Sequence, residues 1–390
     1  MKKCLLFLMI FTFLPLVAFA EEKGGNEVHL YALNIGKADC MILSYQDQHY
    51  LIDTGYEYTY PALETALNAL KINNLQGVFL THCHKDHEGG LMPLVKSNIE
   101  IDAIYAAEIY HDVKEKKHPA VLAATERDME VSFLKTGDVL PVGSDASLTV
   151  LGPVRKDMEN ENNNSLVMRF SSPHGSVLFA GDMKAEEEYD LLTEKLLSQT
   201  DVLKCGHHGD SEASSAAFLQ AVRPAHALIL TSTFEENDTP APSTLKRLKS
   251  INAKVYVSQD AGDALHVEMQ NGRITVSDMT WPSVPEAITG LRCHISTADD
   301  AFMLANLSDK DITLSGCTLY SSKGEDSFPL PDIRVPAGKT ISIGSKSTNG
   351  SVAYTIDKKN VWHDKKRDIA MLYDAWGRLL CQADNGLTEE

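Results

Sequence analysis

Three histidines and one aspartate fall within six residues, His82 to His87, directly after the apolar run Val78-Phe79-Leu80. The full segment reads Thr81-His82-Cys83-His84-Lys85-Asp86-His87. A strand that ends in H-x-H-x-D-H delivers its ligands to the loop beyond its carboxyl end. His82 and His84 can converge on one metal ion while Asp86 and His87 turn toward a second. Imidazole with carboxylate is a zinc-type ligand set, and sites of this type that keep an open position are catalytic. The bland alternative is a surface histidine cluster, and the rest of the chain argues against it by supplying partners. Cys83 is a candidate zinc ligand, but between two histidines on an extended strand end its side chain points away from theirs.

Two downstream segments repeat the pattern of an apolar run ending in ligand-type residues. Val177-Leu178-Phe179-Ala180-Gly181-Asp182 ends in a carboxylate suited to bridging two metals. Asp201-Val202-Leu203-Lys204-Cys205-Gly206-His207-His208-Gly209-Asp210 ends in adjacent histidines. With these in place the chain resembles the metallo-β-lactamase-fold hydrolases, and within them the ComEC-like branch related to DNA-uptake proteins. Asn34-Ile35-Gly36-Lys37-Ala38-Asp39 is similar to the opening N-V-G-Q-G-D segment of that branch. Leu51-Ile52-Asp53-Thr54-Gly55 is similar to its D-T/S-G turn, Asn163-Asn164-Ser165-Leu166-Val167 to its N-N-x-S-L-V segment, and Lys204 to Gly209 to its L-K-x-x-H-H-G segment. The resemblance covers roughly residues 27–278.

The resemblance implies an α+β chain: a metallo-β-lactamase αββα sandwich, with the ligands at one edge where loops of the two sheets meet. It implies two divalent metal ions, with zinc expected and manganese tolerated by a site rich in carboxylate. His82 and His84 would bind metal one, Asp86, His87 and His208 metal two, and Asp182 would bridge. Asp86 and His207 are the expected catalytic residues, His207 as a phosphate contact or proton donor. The general fold adds another histidine to metal one. His111, His118 and His174 lie in the right region, but Asn162-Asn163-Asn164-Ser165 stands in the matching segment. The ComEC-like branch shares this substitution, which implies an open, weaker metal one and makes true β-lactamase activity the least expected outcome. Asn164 and Ser165 either contact substrate or serve as turn residues. Asp53 either accepts a hydrogen bond from a ligand histidine or caps its turn. Lys204 either steadies an anionic substrate or lies along the surface. Ala241 stands where the branch often carries histidine, in Asn237-Asp238-Thr239-Pro240-Ala241-Pro242, so one substrate contact of the family is missing.

The rest of the sequence sets the context. Hydrophobic residues make up 43% of the 390, with no low-complexity tract, so the chain reads as globular with room for two domains. Lys2 and Lys3 precede an apolar stretch from Leu5 to Ala18, and Ala18-Phe19-Ala20 fits a cleavage site, so residues 1–20 read as a signal peptide. The expected mature chain is secreted, extracellular or periplasmic, with no transmembrane segment. The net charge is −18, and loss of Lys2 and Lys3 takes it to −20. Such a chain is repelled by phosphate backbones at long range, which argues against tight nonspecific nucleic-acid binding. Two bound dications would reverse the local sign at the site. Six cysteines remain after cleavage, and their pairing does not follow from spacing.

Residues 21–280 form the expected hydrolase domain and 281–287 a proline-stiffened linker, Trp281-Pro282-Ser283-Val284-Pro285. Residues 288–390 alternate short strands and turns, as in a small immunoglobulin-like β-sandwich. Asn306 to Gly316, Pro336 to Thr340 and Asp368 to Gly377 resemble strands of a lamin-tail domain. This half carries no chemical constellation, so it reads as a tether to a cell-envelope or polymeric partner. The leading function is a secreted dinuclear phosphodiesterase with a nucleic-acid substrate. The alternatives are a phosphodiesterase on envelope groups such as phosphocholine or teichoic-acid-type units, and a catalytically weak envelope or nucleic-acid binding protein.

Overall fold

The computed structural model describes residues 27–107, 118–233, 238–282, 284–324, 326–362 and 365–387. The signal-peptide reading, His111 and Asn237 fall outside them. Two large sheets face each other. One has eight strands, in the order Arg273–Met279, Ala264–Gln270, Val28–Leu33, Cys40–Tyr45, Gln48–Thr54, Gly77–Leu80, Ile104–Ala107 and Val131–Leu134. The other has seven: Lys254–Val257, His226–Ile229, Val202–Lys204, Gly175–Phe179, Val167–Ser172, Ala146–Gly152 and Val139–Val142.

Alternation along the strands divides the side chains between three layers of core. Phe79 points inward and packs with Met41, Ile52, Val150, Phe170, Phe179 and Leu228 between the sheets. Its neighbours Val78 and Leu80 point outward, under Leu63 and Leu67 of helix Tyr60–Ala69, Leu94 of helix Leu91–Lys96 and Ala123 of helix Pro119–Thr125. On the far face Leu178, Leu203 and Ile229 are covered by Leu191, Phe218, Leu219 and Leu248 from three further helices. Central strands buried on both faces therefore read as unbroken apolar runs, and the result is the αββα sandwich.

Topology places the chemistry. Gln48–Thr54, Gly77–Leu80 and Ile104–Ala107 run parallel, as do Gly175–Phe179, Val202–Lys204 and His226–Ile229. The carboxyl ends of both parallel sets meet at one edge, and every ligand-type segment follows one of those ends.

Residues 85–96 form two short helices, Lys85–Glu88 and Leu91–Lys96, parted by Gly89 and Gly90. A Cβ at Gly90 would collide with Thr54 O and one at Gly89 would come 2.6 Å from Glu57 N, so both positions exclude a side chain. Strands Ala264–Gln270 and Arg273–Met279, joined by the Asn271-Gly272 turn, extend the first sheet. Ala264–Gln270 pairs antiparallel along all of Val28–Leu33 and turns Val267 and Met269 into the core.

The C-terminal half adds further β-sheets, consistent with an immunoglobulin-like domain. Leu291–Ser296, Ala301–Asn306, Thr340–Ser345 and Tyr354–Ile356 form one sheet; Asp326–Pro329, Thr318–Ser321, Ile369–Tyr373 and Leu379–Asp384 form another. Phe302, Leu304, Leu319, Trp362 and Leu372 fill the space between them. All six described cysteines are free thiols. The connecting stretch is packed against its surroundings, with Trp281 buried 6.1 Å from the Tyr31 ring and Pro285 O accepting from Arg378. No helix of the described residues is long and apolar enough to cross a membrane.

Candidate metal centre

Each ligand-type side chain is carried by backbone that its local sequence dictates. His82 stands two residues beyond the strand Gly77–Leu80, and the four-residue helix Lys85–Glu88 turns Asp86 and His87 back over the strand ends. Gly181 adopts φ +51°, and a Cβ there would meet Ser165 Cβ at 2.7 Å, so this glycine lets Asp182 enter the site closely. His207 and His208 both take left-handed backbone, φ 44° and 53°. The two side chains diverge through this strained turn rather than through strand alternation, the basis on which they are separable in the sequence.

Four residues converge most tightly. One ligand atom from each of Asp86, His87, Asp182 and His208 lies within 4.8 Å of the others. His208 Nε2 is 3.2 Å from Asp86 Oδ2 and 3.3 Å from Asp182 Oδ2. His87 Nε2 is 3.2 Å from the same Asp182 oxygen. His82 and His84 form a neighbouring pair, with Nε2 of the first 2.9 Å from Nδ1 of the second. His82 Nε2 is 3.8 Å from Asp182 Oδ2, so Asp182 faces both groups. His84 is exposed at the rim while His82, His87, Asp182 and His208 are buried.

A second layer fixes the rings. His87 Nδ1 lies 2.8 Å from Asp53 Oδ2, and Asp53 also accepts from Thr81 N at 2.7 Å and Thr81 Oγ1 at 2.8 Å. His208 Nδ1 donates to Leu230 O at 2.9 Å. Both rings therefore spend Nδ1 on the scaffold and present Nε2 to the centre, the usual way a protein orients a metal-binding imidazole. Beneath them Lys204, fully buried, pairs with Asp39, donates to Gly181 O at 2.9 Å and lies 3.7 Å from Asp182 Oδ1.

The electrostatics call for cations. Asp39, Asp53, Asp86 and Asp182 crowd around three buried imidazoles and one ammonium. Burial alone would lower the His87 pKa, but Asp182, Asp53, Asp86 and Asp39 drive it well above the ordinary imidazole value. His208 is raised in the same way, against burial, chiefly by Asp182. His82, further from the carboxylates, is held well below the usual value by burial and by His87. His87 Nε2 and Asp182 Oδ1 are buried with no hydrogen bond. Buried imidazole nitrogens and carboxylate oxygens that converge, with excess negative charge around them, fit a divalent cation at Asp86–His87–Asp182–His208.

The other sequence candidates fall in different places. Asn164 folds back on its own loop, accepting from Asp157 N at 2.9 Å and donating to Asp157 O at 2.8 Å. Ser165 Oγ accepts from Asp182 N at 2.9 Å, so it steadies Asp182 from behind. Lys204 is neither a substrate contact nor a surface residue, because it is shut inside the scaffold. His118 caps helix Pro119–Thr125 and meets Cys83 Sγ at 3.2 Å, and His174 lies against the Tyr45 ring, so neither joins the centre. Ala241 is buried and donates its backbone N–H to Gly209 O.

Two residues had been passed over. Asn162, two residues before the expected pair Asn164 and Ser165, places Nδ2 3.3 Å from His207 Nε2. Asp39 closes the Asn34–Asp39 segment, and as a carboxylate inside an apolar stretch it was a signal of a buried partner. His207 is kept below the usual imidazole pKa by burial, with His208, Lys184 and Lys37 adding to the effect. With Asn162 Nδ2 donating, Nε2 accepts and the ring proton sits on Nδ1, which has no hydrogen bond.

The family described as the metallo-beta-lactamase superfamily matches residues 34–233. The chain is similar to "ComE operon protein 3" of Bacillus subtilis (strain 168), 27% identical over 256 residues that cover 61% of this chain and 33% of that protein. It is also similar to "Competence protein ComA" of Neisseria gonorrhoeae, 26% identical over 279 residues, covering 68% and 36%. The chain thus spans about a third of the length of these two relatives. Among solved structures, the metallo-beta-lactamase fold protein YhfI of Bacillus subtilis is 14% identical, with 64% of this chain and all of that one covered, at a TM-score of 0.39.

Proposed function

The chain belongs to the metallo-beta-lactamase superfamily, and on that premise we propose that it is a dinuclear metal-dependent phosphodiesterase acting on nucleic-acid-type diesters outside the cytoplasm. The observation that carries this reading is the convergence of Asp86, His87, Asp182 and His208 within 4.8 Å, beside the His82–His84 pair. Zinc or manganese held by these residues would supply Lewis acidity toward a water and a phosphoryl oxygen.

The chain's own residues do the rest. Asp182 faces both histidine groups, His82 on one side and His87 and His208 on the other. Asp53 and Leu230 O keep Nε2 of His87 and His208 turned inward. His207, half-buried beside Asn162, is read as the residue that contacts a non-bridging phosphoryl oxygen. Similarity to a relative named as a competence protein supports a nucleic-acid substrate. Export rests on the Lys2-Lys3, Leu5–Ala18 and Ala18-Phe19-Ala20 pattern, and amino-terminal sequencing of the exported protein checks it.

A second reading, hydrolysis of small diesters on envelope components, is favoured by the −18 charge and by Ala241 in place of histidine. Metal content and turnover of the purified mature chain on single-stranded DNA, RNA, phosphocholine esters and a chromogenic diester separate the readings. Nucleic-acid hydrolysis that stops on chelation and returns with zinc or manganese supports the first. Turnover of small diesters alone supports the second, and metal binding with no turnover on any of them refutes both.

A further inference from the structure

The C-terminal sandwich does not hang from the hydrolase half; it is seated beside the metal centre. Tyr58 stacks on Tyr320 with ring centroids 4.1 Å apart, and its ring lies 5.0 Å from that of Tyr373. Tyr56 stacks on Tyr58 at 4.9 Å and reaches the Tyr320 ring at 6.3 Å. Tyr58, Tyr320, Ile369, Met371 and Tyr373 are all buried together in one cluster that spans both halves. A second contact lies one turn further on. Gly377 takes φ +76°, and a Cβ there would come 2.9 Å from Ala62 N, so the Trp376-Gly377 turn sits tightly on the start of helix Tyr60–Ala69.

The segment gripped in this way is the one that supports the metal ligands. Tyr56–Tyr58 continues directly from Asp53-Thr54-Gly55. Asp53 bonds His87 Nδ1, and Thr54 Oγ1 donates to His87 O at 3.0 Å. Gly90 N donates to Gly55 O at 3.0 Å, and Gly55 N to Asp39 O at 2.8 Å. At Gly89 an added Cβ would lie 2.9 Å from Tyr56 Cα and 2.6 Å from Glu57 N. Residues 53–58 are therefore held between the C-terminal sandwich on one side and the turn bearing Asp86 and His87 on the other.

We infer that the C-terminal sandwich is a working part of the metal centre: by clamping Tyr56–Tyr58 against Tyr320 and Tyr373 it fixes the Asp86–His87 turn and sets the affinity for metal. The inference rests on the metal-centre reading and deepens it. Tyr58 and Tyr320 act as positioning residues, through the backbone of 53–58. Functional geometry tolerates displacements of only about 0.5 Å, and loosening an outer-shell support typically costs 10–100-fold in metal affinity. A domain that serves only as a tether would leave that affinity unchanged.

The test is zinc affinity of the full-length chain by chelator competition, alongside hydrogen exchange over residues 53–58 and 84–90. Tyr320→Ala is expected to weaken zinc binding about tenfold or more and to speed exchange in both segments, and Tyr320→Phe, which keeps the stacked ring, to restore both. If Tyr320→Ala does not fold, Tyr320→Leu, which keeps apolar bulk and loses the ring face, is read by the same criterion. Zinc affinity within twofold of the parent in the folded variant overturns the inference. A parent chain that binds no zinc sinks the metal-centre reading instead, a result distinct from the first.

Discussion

His87 Nδ1 lies 2.8 Å from Asp53 Oδ2, and both side chains are fully buried. This one hydrogen bond decides which ring nitrogen His87 offers to the centre. Asp53 is itself held by two contacts from Thr81, at the very start of the histidine-rich loop. The D-T-G turn and the H-x-H-x-D-H loop, 28 residues apart by the Asp53–Thr81 contact, are thus one unit.

Replacing Asp53 should reduce metal affinity without removing any ligand. Asp53→Ala is expected to lower zinc affinity 10–100-fold, the usual cost of losing the partner of a ligand histidine. Chelator competition on the purified variant measures it, and parent-like affinity would show that His87 is oriented by something else.

Asp182 should matter to both groups. Asp182→Ala is expected to take bound metal from up to two ions per chain to near none, because its carboxylate faces His82 on one side and His87 and His208 on the other. Metal analysis after gel filtration checks this, and two retained ions with full activity would remove its bridging role.

Lys204 and Asp39 pair inside the scaffold with no solvent exposure. Lys204→Met leaves Asp39 charged and uncompensated, so a loss of about 3–5 kcal/mol of stability is expected by denaturant unfolding. A second change, Asp39→Asn, should recover part of it. If Lys204→Met unfolds like the parent, the pair carries no such weight.

Away from the centre, Glu187 supplies a pH signature. Its carboxyl is buried, accepts from Val154 N at 2.9 Å, and is pushed up to about 8, mainly by burial. The folded chain keeps this proton up to about pH 8, whereas the unfolded chain loses it near 4.5. The folded state therefore binds the extra proton between those values, and its stability falls as pH rises through them. Glu187→Gln keeps the acceptor and cannot ionise. It should match the parent near pH 4 and exceed it by about 1 kcal/mol or more at pH 9. Parallel stability curves for the two proteins across this range would contradict the assignment.

Much of this was legible in the chain because catalytic loops follow buried strands, and an apolar run ending in His, Asp or His-His announces both at once. Phe79, flanked by outward Val78 and Leu80, shows why such a run marks a strand covered on both faces. What escaped notice depended on tertiary contact. The break at Gly89-Gly90 exists because the backbone of residues 54–57 lies against it, which no local signal reveals. Lys204 is read as exposed until Asp39, 165 residues away, is seen beside it. Asn162, rather than Asn164, reaches His207 because the loop turns through a short 3-10 helix over Glu161–Asn164. The hairpin of Ala264–Gln270 and Arg273–Met279 is marked locally by Asn271-Gly272 between alternating residues, but only its pairing with Val28–Leu33 shows which sheet it extends.

The central claim is that His208 holds metal while its neighbour His207 contacts the scissile phosphate, so the most direct measurement is turnover of a chromogenic phosphodiester per bound metal ion in His207→Ala and His208→Ala. His208→Ala is expected to lose metal. His207→Ala is expected to keep its metal and lose turnover on the order of a hundredfold or more, as for a missing oxyanion contact. Equal metal loss in both variants, or parent-like turnover per metal in His207→Ala, would contradict the account.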